Sequence, residues 1–322
     1  MSVGGEQDRA VAAHLGHVEL LAPGAAATVA FFTDVLGMSL VAQSERSAYL
    51  RGWRDYERYS LKVTESPAAG LGHIAFRTVS GEALDAAVRE LTAAGFEGTW
   101  VDGDEGQGTG YTVRNGDGHA FELYFETERY VAPREAASVY RNQAARSTSR
   151  GAAVERIDHV NLASPDVRAS REFAQRHLGA RLSEQLLLPD GTEIGAWMRV
   201  TSKAYDLTYI ADPARARDRL HHVAFRVESR QDVLRTADIF TEHGCFIELG
   251  PAKHDIGSTF FVYVYEPSGN RIEVCAGGYL IFAPDWTPAV WTLEPGERFQ
   301  AWNTPIVESF FAYATPDVSG IG

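Results

Sequence analysis

Leu220–Ser229 reads LHHVAFRVES, and Leu71–Ser80 reads LGHIAFRTVS. Each places a histidine at the head of a short run rich in apolar, β-branched and aromatic residues, and each ends on serine. The likeness extends outward in both directions. GHVEL from Gly16 precedes the first copy, and IDHVNLA from Ile157 precedes the second. DGHAFELYFETERY from Asp117 follows the first, and SGNRIEVCAGGY from Ser268 follows the second. His17 and His73 are 56 positions apart and His159 and His222 are 63 apart; His73 to Glu122 is 49 and His222 to Glu273 is 51. The same order at such close spacings marks a duplicated domain.

Each half reads as two βαβββ units, an α+β class. Helices are predicted over Ala25–Leu36, Glu82–Ala94, Pro165–Leu178 and Arg230–His243, each with apolar residues at helical spacing. A glycine follows each one: Gly37, Gly95, Gly179 and Gly244. Ser164 and Pro165 read as an N-cap and first helical position. Strands are predicted at His73–Val79, Gly195–Val200, His222–Val227, Thr259–Tyr265 and Arg271–Cys275, with Pro267, Ser268 and Gly269 as a turn. The polar stretch from Tyr130 to Arg150 joins the halves, so the expected domains are residues 12–135 and 152–322. After Gly278 the tail carries Trp286, Trp291 and Trp302, which predicts packing onto the body.

The 322 residues suit two domains of about 150. With 45% hydrophobic and 23% charged residues the chain has the makings of a packed core. A net charge of −13 argues against a nucleic-acid surface, which needs clustered Lys and Arg. Cys245 and Cys275 make no disulfide framework, MSVGGEQDRA has no apolar signal core, and no long apolar run spans a membrane. A cytoplasmic setting is therefore expected.

His159 and His222 lie near the starts of two strands, and Glu273 lies on a later one. Two imidazoles and one carboxylate on one face form the facial triad of non-haem iron(II) oxygenases. Three coordination positions stay open: two for the adjacent oxygens of a catechol and one for dioxygen. One carboxylate and a monoanionic catecholate also balance a 2+ ion, which keeps a buried site near neutral. Any one of these residues alone reads more readily as a structural side chain; the repeat is what makes them a set.

From His254 the chain reads HDIGSTFFVYVYEPSGNRIE. This resembles the signature of type I extradiol ring-cleavage dioxygenases of the vicinal oxygen chelate superfamily: a His, an apolar residue and Tyr (Val262, Tyr263), acid-Pro-x-Gly (Glu266 to Gly269), then Glu273. Ala252 is a small departure. RLHHVAFRV from Arg219 and RIDHVNLASPDV from Arg156 resemble the family's ligand strands. The resemblance runs from Gly16 to near Trp302 and is strongest to catechol 2,3-dioxygenases and homoprotocatechuate 2,3-dioxygenases. It implies duplicated vicinal-oxygen-chelate domains, each a cupped mixed sheet, and a homo-oligomer, dimer or tetramer. It implies His159, His222 and Glu273 as ligands of Fe(2+), with Mn(2+) as the other candidate. His222 rather than His221 is the ligand by its spacing to Glu273. His254 and Tyr263 resemble residues that hydrogen-bond substrate or oxygen, and Asn161 and Trp197 match positions lining the oxygen side. The substrate implied is a catechol, cleaved with O2 to a muconic semialdehyde-type product.

Two departures bear on the chemistry. The family keeps an acid–base histidine in a segment like K-A-H-D, but Lys203-Ala204-Tyr205-Asp206 puts Tyr205 there. Imidazole titrates near 6.5 and exchanges protons at neutral pH, whereas tyrosine near 10 is a donor. Three readings stand: Tyr205 donates to bound oxygen while another group takes the proton, the substrate is deprotonated through a residue such as His254, or the reaction is not ordinary extradiol cleavage. Near the tail position where the homoprotocatechuate branch meets a carboxylate with arginine, Arg298 is followed by Phe299, Gln300 and Ala301, which points to a neutral or larger ring substituent. His17, His73 and Glu122 repeat the triad types in the first half and could form a second site, whereas the resemblance implies a metal-free relic. Two other function classes fit the same skeleton: a glyoxalase- or epimerase-like enzyme with a divalent Lewis acid, and a non-catalytic ligand-binding relative.

Overall fold

A computed structural model describes residues 10–293 and 300–318. Among these residues seventeen strands form two mixed sheets. The first half holds β1 (Ala12–Ala22), β2 (Ser39–Gln43), β3 (Ser47–Arg51), β4 (Leu61–Glu65), β5 (Gly70–Thr78), β6 (Gly98–Val101), β7 (Gly110–Arg114) and β8 (Ala120–Tyr124). The second holds β9 (Arg156–Ser164), β10 (Arg181–Leu187), β11 (Glu193–Arg199), β12 (Leu207–Ala211), β13 (Arg219–Arg226), β14 (Ile247–Lys253), β15 (Thr259–Tyr265), β16 (Arg271–Gly277) and β17 (Ala289–Thr292). Helices α1 (Ala25–Ala30), α2 (Gly81–Ala93), α3 (Val167–Leu178) and α4 (Arg230–Glu242) complete four βαβββ units, and α5 (Glu308–Ala312) lies in the tail. The sheet orders are β2-β3-β4-β1-β5-β8-β7-β6 and β14-β15-β16-β13-β9-β12-β11-β10-β17. In each, the first strands of two units pair antiparallel at the centre, so residues from both units meet on one face.

The expected helices are present with altered ends. The first is α-helical only to Ala30 and continues as a π-helical turn over Phe31–Val35. Ser80 and Ser229 cap α2 and α4, the latter in a reciprocal capping box with Asp232. The cap of α3 is Asp166, not Ser164, and its carboxylate accepts from Ala169 N–H. Ser164 instead donates to buried Asp117 of the first half, so a tertiary partner displaced the local cap.

The halves share one continuous apolar core. Phe31 stacks on Phe240, Phe32 meets Phe225 edge-on, and Phe96 meets Phe173. The π-helical turn after α1 therefore packs against the unit of α4, and the segment just after α2 against α3. The linker closes on the same junction. Gly37 adopts φ +75°, and a Cβ there would sit 2.0 Å from the Arg150 carbonyl oxygen, so only glycine fits.

The tail returns onto the second sheet, β17 pairing with β10. Trp291 donates to Glu184 at 2.6 Å and Trp286 to the Ser183 carbonyl at 3.1 Å, as their number predicted. Trp302 is the exception, 67% exposed with its ring against Phe260. A buried arginine ties α5 down. Arg271 grips both oxygens of Glu248, at 2.6 and 2.8 Å, and donates to the carbonyls of His221, Ser309 and Tyr313. Arg271→Met would leave Glu248 buried without its charge partner. It should cost about 3–5 kcal/mol in urea unfolding, and a loss under about 1 kcal/mol would show that the cluster does not anchor the tail.

Candidate metal centre

Register explains why residues so far apart in sequence meet. Ala224 on β13 pairs with His159 on β9 and with Glu273 on β16. Tyr263 on β15 lies opposite Glu273. One row across the sheet therefore reads Tyr263, Glu273, Ala224, His159. Ala224 contributes only a methyl, which leaves space between its neighbours. A second row reads His222, Asn161, Thr208, Trp197.

The three triad donors converge. Glu273 Oε2 lies 3.1 Å from Nε2 of His159 and 3.1 Å from Nε2 of His222, and the two Nε2 atoms are 3.2 Å apart. All three side chains are buried. Two donors at right angles around a first-row ion, each bonded at about 2.1 Å, lie about 3 Å apart. The spacing thus suits one face of an octahedral ion. Neither Glu273 oxygen has an aligned hydrogen-bond donor, and Asn161 Oδ1, on the residue paired with His222, also lacks a partner. Buried carboxylate oxygens without donors demand positive charge.

The far side of each imidazole is also fixed. His159 Nδ1–H donates to Asp158 at 3.1 Å. His221 Nε2–H donates to the Phe310 carbonyl at 2.6 Å, since a carbonyl only accepts. Its Nδ1 then accepts from His222 Nδ1–H at 2.7 Å. Both chains of hydrogen bonds leave an Nε2 lone pair directed at the centre. Electrostatics shows the same demand for a cation. Burial disfavours the His159 imidazolium, but Glu273 and Asp158 outweigh it and raise its pKa to about 9. Burial brings His222 down to about 4. Burial works against the Glu273 carboxylate too, yet His159 and His222 hold its pKa below the usual range.

Tyr205, Tyr263, His254 and Asn161 gather here. Tyr205 sits edge-on to His159 with ring centres 4.7 Å apart, and its hydroxyl shares a 2.9 Å hydrogen bond with Thr259. Gly257, at φ +72°, passes so close that a Cβ would be 2.3 Å from the Tyr205 ring. Tyr263 meets the His222 ring at 5.2 Å, and its hydroxyl lies 3.0 Å from His254 Nε2. His254 stacks on Phe261 at 3.8 Å, and burial lowers its pKa to about 4. Burial and Glu273 push both tyrosines well above 10. Asn161 adjoins His222, whereas Trp197 stands two strands further along that row. Arg298 lies outside the described residues.

Asp158 and His221 have roles the ligand pattern does not include, although each directly precedes a ligand candidate, and those doublets are their sequence signal. Gln300 stands out in sequence only as a residue that is not basic. It is buried and bridged to the His254 backbone, with Oε1 unpartnered. The Phe310 carbonyl had no sequence signal, because a backbone atom 89 positions away from His221 leaves none.

The chain matches the model of the Glyoxalase/Bleomycin resistance protein/Dioxygenase superfamily over residues 14–123 and again over 156–274, and it belongs to that superfamily. It is 37% identical over 307 residues to metapyrocatechase of Geobacillus stearothermophilus, spanning 94% of each chain. It is 36% identical to the manganese-dependent 2,3-dihydroxybiphenyl 1,2-dioxygenase of Geobacillus genomosp. 3, over 91% of this chain and 94% of that one. Homoprotocatechuate 2,3-dioxygenase of Brevibacterium fuscum, solved with 3,4-dihydroxyphenylacetate, superposes with a TM-score of 0.82 at 26% identity, covering 96% of this chain and 95% of that one. Within the superfamily the chain is an extradiol ring-cleaving dioxygenase, an oxidoreductase with a catalytic metal.

His221→Ala removes the acceptor that sets the His222 tautomer. Metal affinity should fall about 10–100-fold in chelator competition; an affinity within twofold of the parent would show that His222 is oriented without His221.

Proposed function

We propose that this enzyme opens a substituted catechol beside its hydroxyl pair and adds both atoms of dioxygen, giving a muconic semialdehyde-type product. Iron(II), with manganese(II) as the other candidate, is held by His159, His222 and Glu273. The observation that carries this reading is the buried Glu273 carboxylate, unmet by any aligned donor and flanked by two imidazole nitrogens at 3.1 Å. Bound there, the ion would acidify a catechol hydroxyl and bring the ring and dioxygen together. One carboxylate per triad supports this over proton-abstracting isomerase chemistry, which two would suit.

The protein's own groups handle protons and orientation. Tyr263 offers its hydroxyl to a substrate oxygen, and neutral His254 at 3.0 Å is poised to take a proton relayed through it. Tyr205 keeps its proton, because burial and Glu273 oppose the phenolate. It acts as a donor beside Thr259, not as the base a histidine would be. Asn161 and Trp197 line the oxygen side.

A neutral or aryl substituent fits best. Gln300 brings an uncharged amide near His254, and one relative is named for 2,3-dihydroxybiphenyl. Residues 12–135 and 152–322 are the two domains of this reading, with the catalytic triad in the second. A cytoplasmic homo-oligomer, dimer or tetramer, belongs to it too; Cys245 and Cys275 are both unpaired, which suits a reducing compartment. No helix among the described residues is long and apolar enough to cross a membrane.

Protein loaded anaerobically with iron(II) should consume oxygen and form a yellow product with catechol and 3-phenylcatechol. With 3,4-dihydroxyphenylacetate, kcat/KM should be at least about 10-fold lower, as expected when the uncharged Gln300 amide is what the substituent meets. Absence of oxygen uptake with every catechol sinks the assignment. Restoring a titrating base with Tyr205→His should raise kcat on catechol by about 10-fold or more and add a pH limb near 6.5. An unchanged rate and pH profile would show that Tyr205 does not govern proton transfer.

A further inference from the structure

The first half repeats the triad in the same register. Ala75 on β5 pairs with His17 on β1 and with Glu122 on β8, as Ala224 pairs with His159 and Glu273. His73 lies opposite Glu19 as His222 lies opposite Asn161. The donor atoms converge here too. His17 Nε2 and His73 Nε2 are 2.9 Å apart, Glu122 Oε2 is 3.5 Å from His73 Nε2, and all three donors fall within 4.8 Å of one another.

The surroundings are built to hold this arrangement. Glu19 Oε2 lies 2.9 Å from His73 Nδ1, and an Nδ1–H donating to it leaves the His73 Nε2 lone pair facing the other two donors. Glu19 is fixed in turn by Thr64 at 2.6 Å and Lys62 at 3.2 Å. Gly72 makes room for it, since a Cβ there would come within 2.3 Å of Glu19 Oε2. Gly72 occupies the position of His221 in the other copy, so a carboxylate replaces an imidazole as the partner that sets the ligand tautomer. Gln107 donates to Glu122 Oε1 and accepts from Tyr59 at 3.1 Å, which directs Oε2 inward.

We propose that His17, His73 and Glu122 bind a second divalent first-row transition-metal ion, in a site that is structural rather than catalytic. Two imidazoles and a carboxylate select such an ion over magnesium or calcium, which favour all-oxygen shells. The groups that would serve substrate are replaced. Thr112 stands opposite Glu122 where Tyr263 stands opposite Glu273. The ion pair Lys62–Glu19 fills the places of Thr208 and Asn161. The ion would pin β1, β5 and β8 together and would enter beside His73, whose side chain is 13% exposed.

The test is metal per chain on the full-length protein, stripped and reloaded anaerobically with manganese(II), desalted and measured by mass spectrometry. The parent should hold two, His73→Ala one, His222→Ala one, and the double variant none. Circular dichroism checks folding, and Glu122→Gln serves if His73→Ala does not fold. Ring-cleavage activity should stay within twofold in His73→Ala and vanish in His222→Ala. A parent value of one that disappears in His222→Ala overturns the second site. So does a value of two that survives both His73→Ala and Glu122→Gln. A value of one that survives His222→Ala but is lost in His73→Ala would support this site and count against the catalytic assignment.

Discussion

A carboxylate sealed from water, with no hydrogen-bond donor aligned on either oxygen, is the constraint around which this structure is arranged. Glu273 cannot remain so unless positive charge sits beside it. The two imidazoles do not supply it as a pair, because His222 is held neutral and only His159 has a raised proton affinity. A proton on His159 partly meets the need; a divalent ion meets it fully and satisfies all three donors at once. The hydrogen bonds behind the imidazoles point the same way, turning both Nε2 lone pairs inward. Were the triad only a packed polar cluster, those tautomers would have no reason to oppose one another.

That arrangement depends on parts of the chain remote from the ligands. His222 is set by His221, His221 by the Phe310 carbonyl, and α5 by Arg271, which also holds the His221 carbonyl. The tail is thus joined to the centre by a short series of hydrogen bonds. Glu184 ties a second part of it, accepting from Trp291, Tyr279 and Gly257 N–H. Gly257 is the residue that gives Tyr205 its space, so tail docking and the placing of the tyrosine hydroxyl share one buried carboxylate.

The repeat was legible because a strand face shows itself in local sequence, and because matched spacing survives duplication. Two histidines and a glutamate at corresponding positions in each half were enough to locate both triads. The signature from His254 to Glu273 then separated one half from the other. What the sequence hid was of two kinds. Backbone partners such as the Phe310 carbonyl carry no residue identity to read. Competition between local and tertiary partners was also invisible: Ser164 looked like a helix cap, but Asp117 claimed its hydroxyl and Asp166 took its place. The shared core was hidden for a related reason, since apolar faces on α1 and α2 show that burial is needed without showing which half supplies it.

Tyr205 takes on another meaning beside the first half. Leu207 pairs with Val160 and Leu61 with Val18, so Tyr205 and Tyr59 stand two residues ahead of equivalent positions. Their rings lie at the same distance, 4.7 Å, from His159 and His17. The tyrosine of one copy is therefore matched by a tyrosine at the same place in the other. A tyrosine there packs edge or tilt against the first ligand imidazole and offers a hydroxyl to a neighbour, Thr259 in one copy and Gln107 in the other. It needs no substrate to be satisfied. A histidine at that position would hold its proton loosely near neutral pH; the tyrosine holds it firmly and serves as a fixed donor. What sets the second triad apart is the pair beside it: Tyr263 stands opposite Glu273 where Thr112 stands opposite Glu122, and its hydroxyl reaches His254 at 3.0 Å.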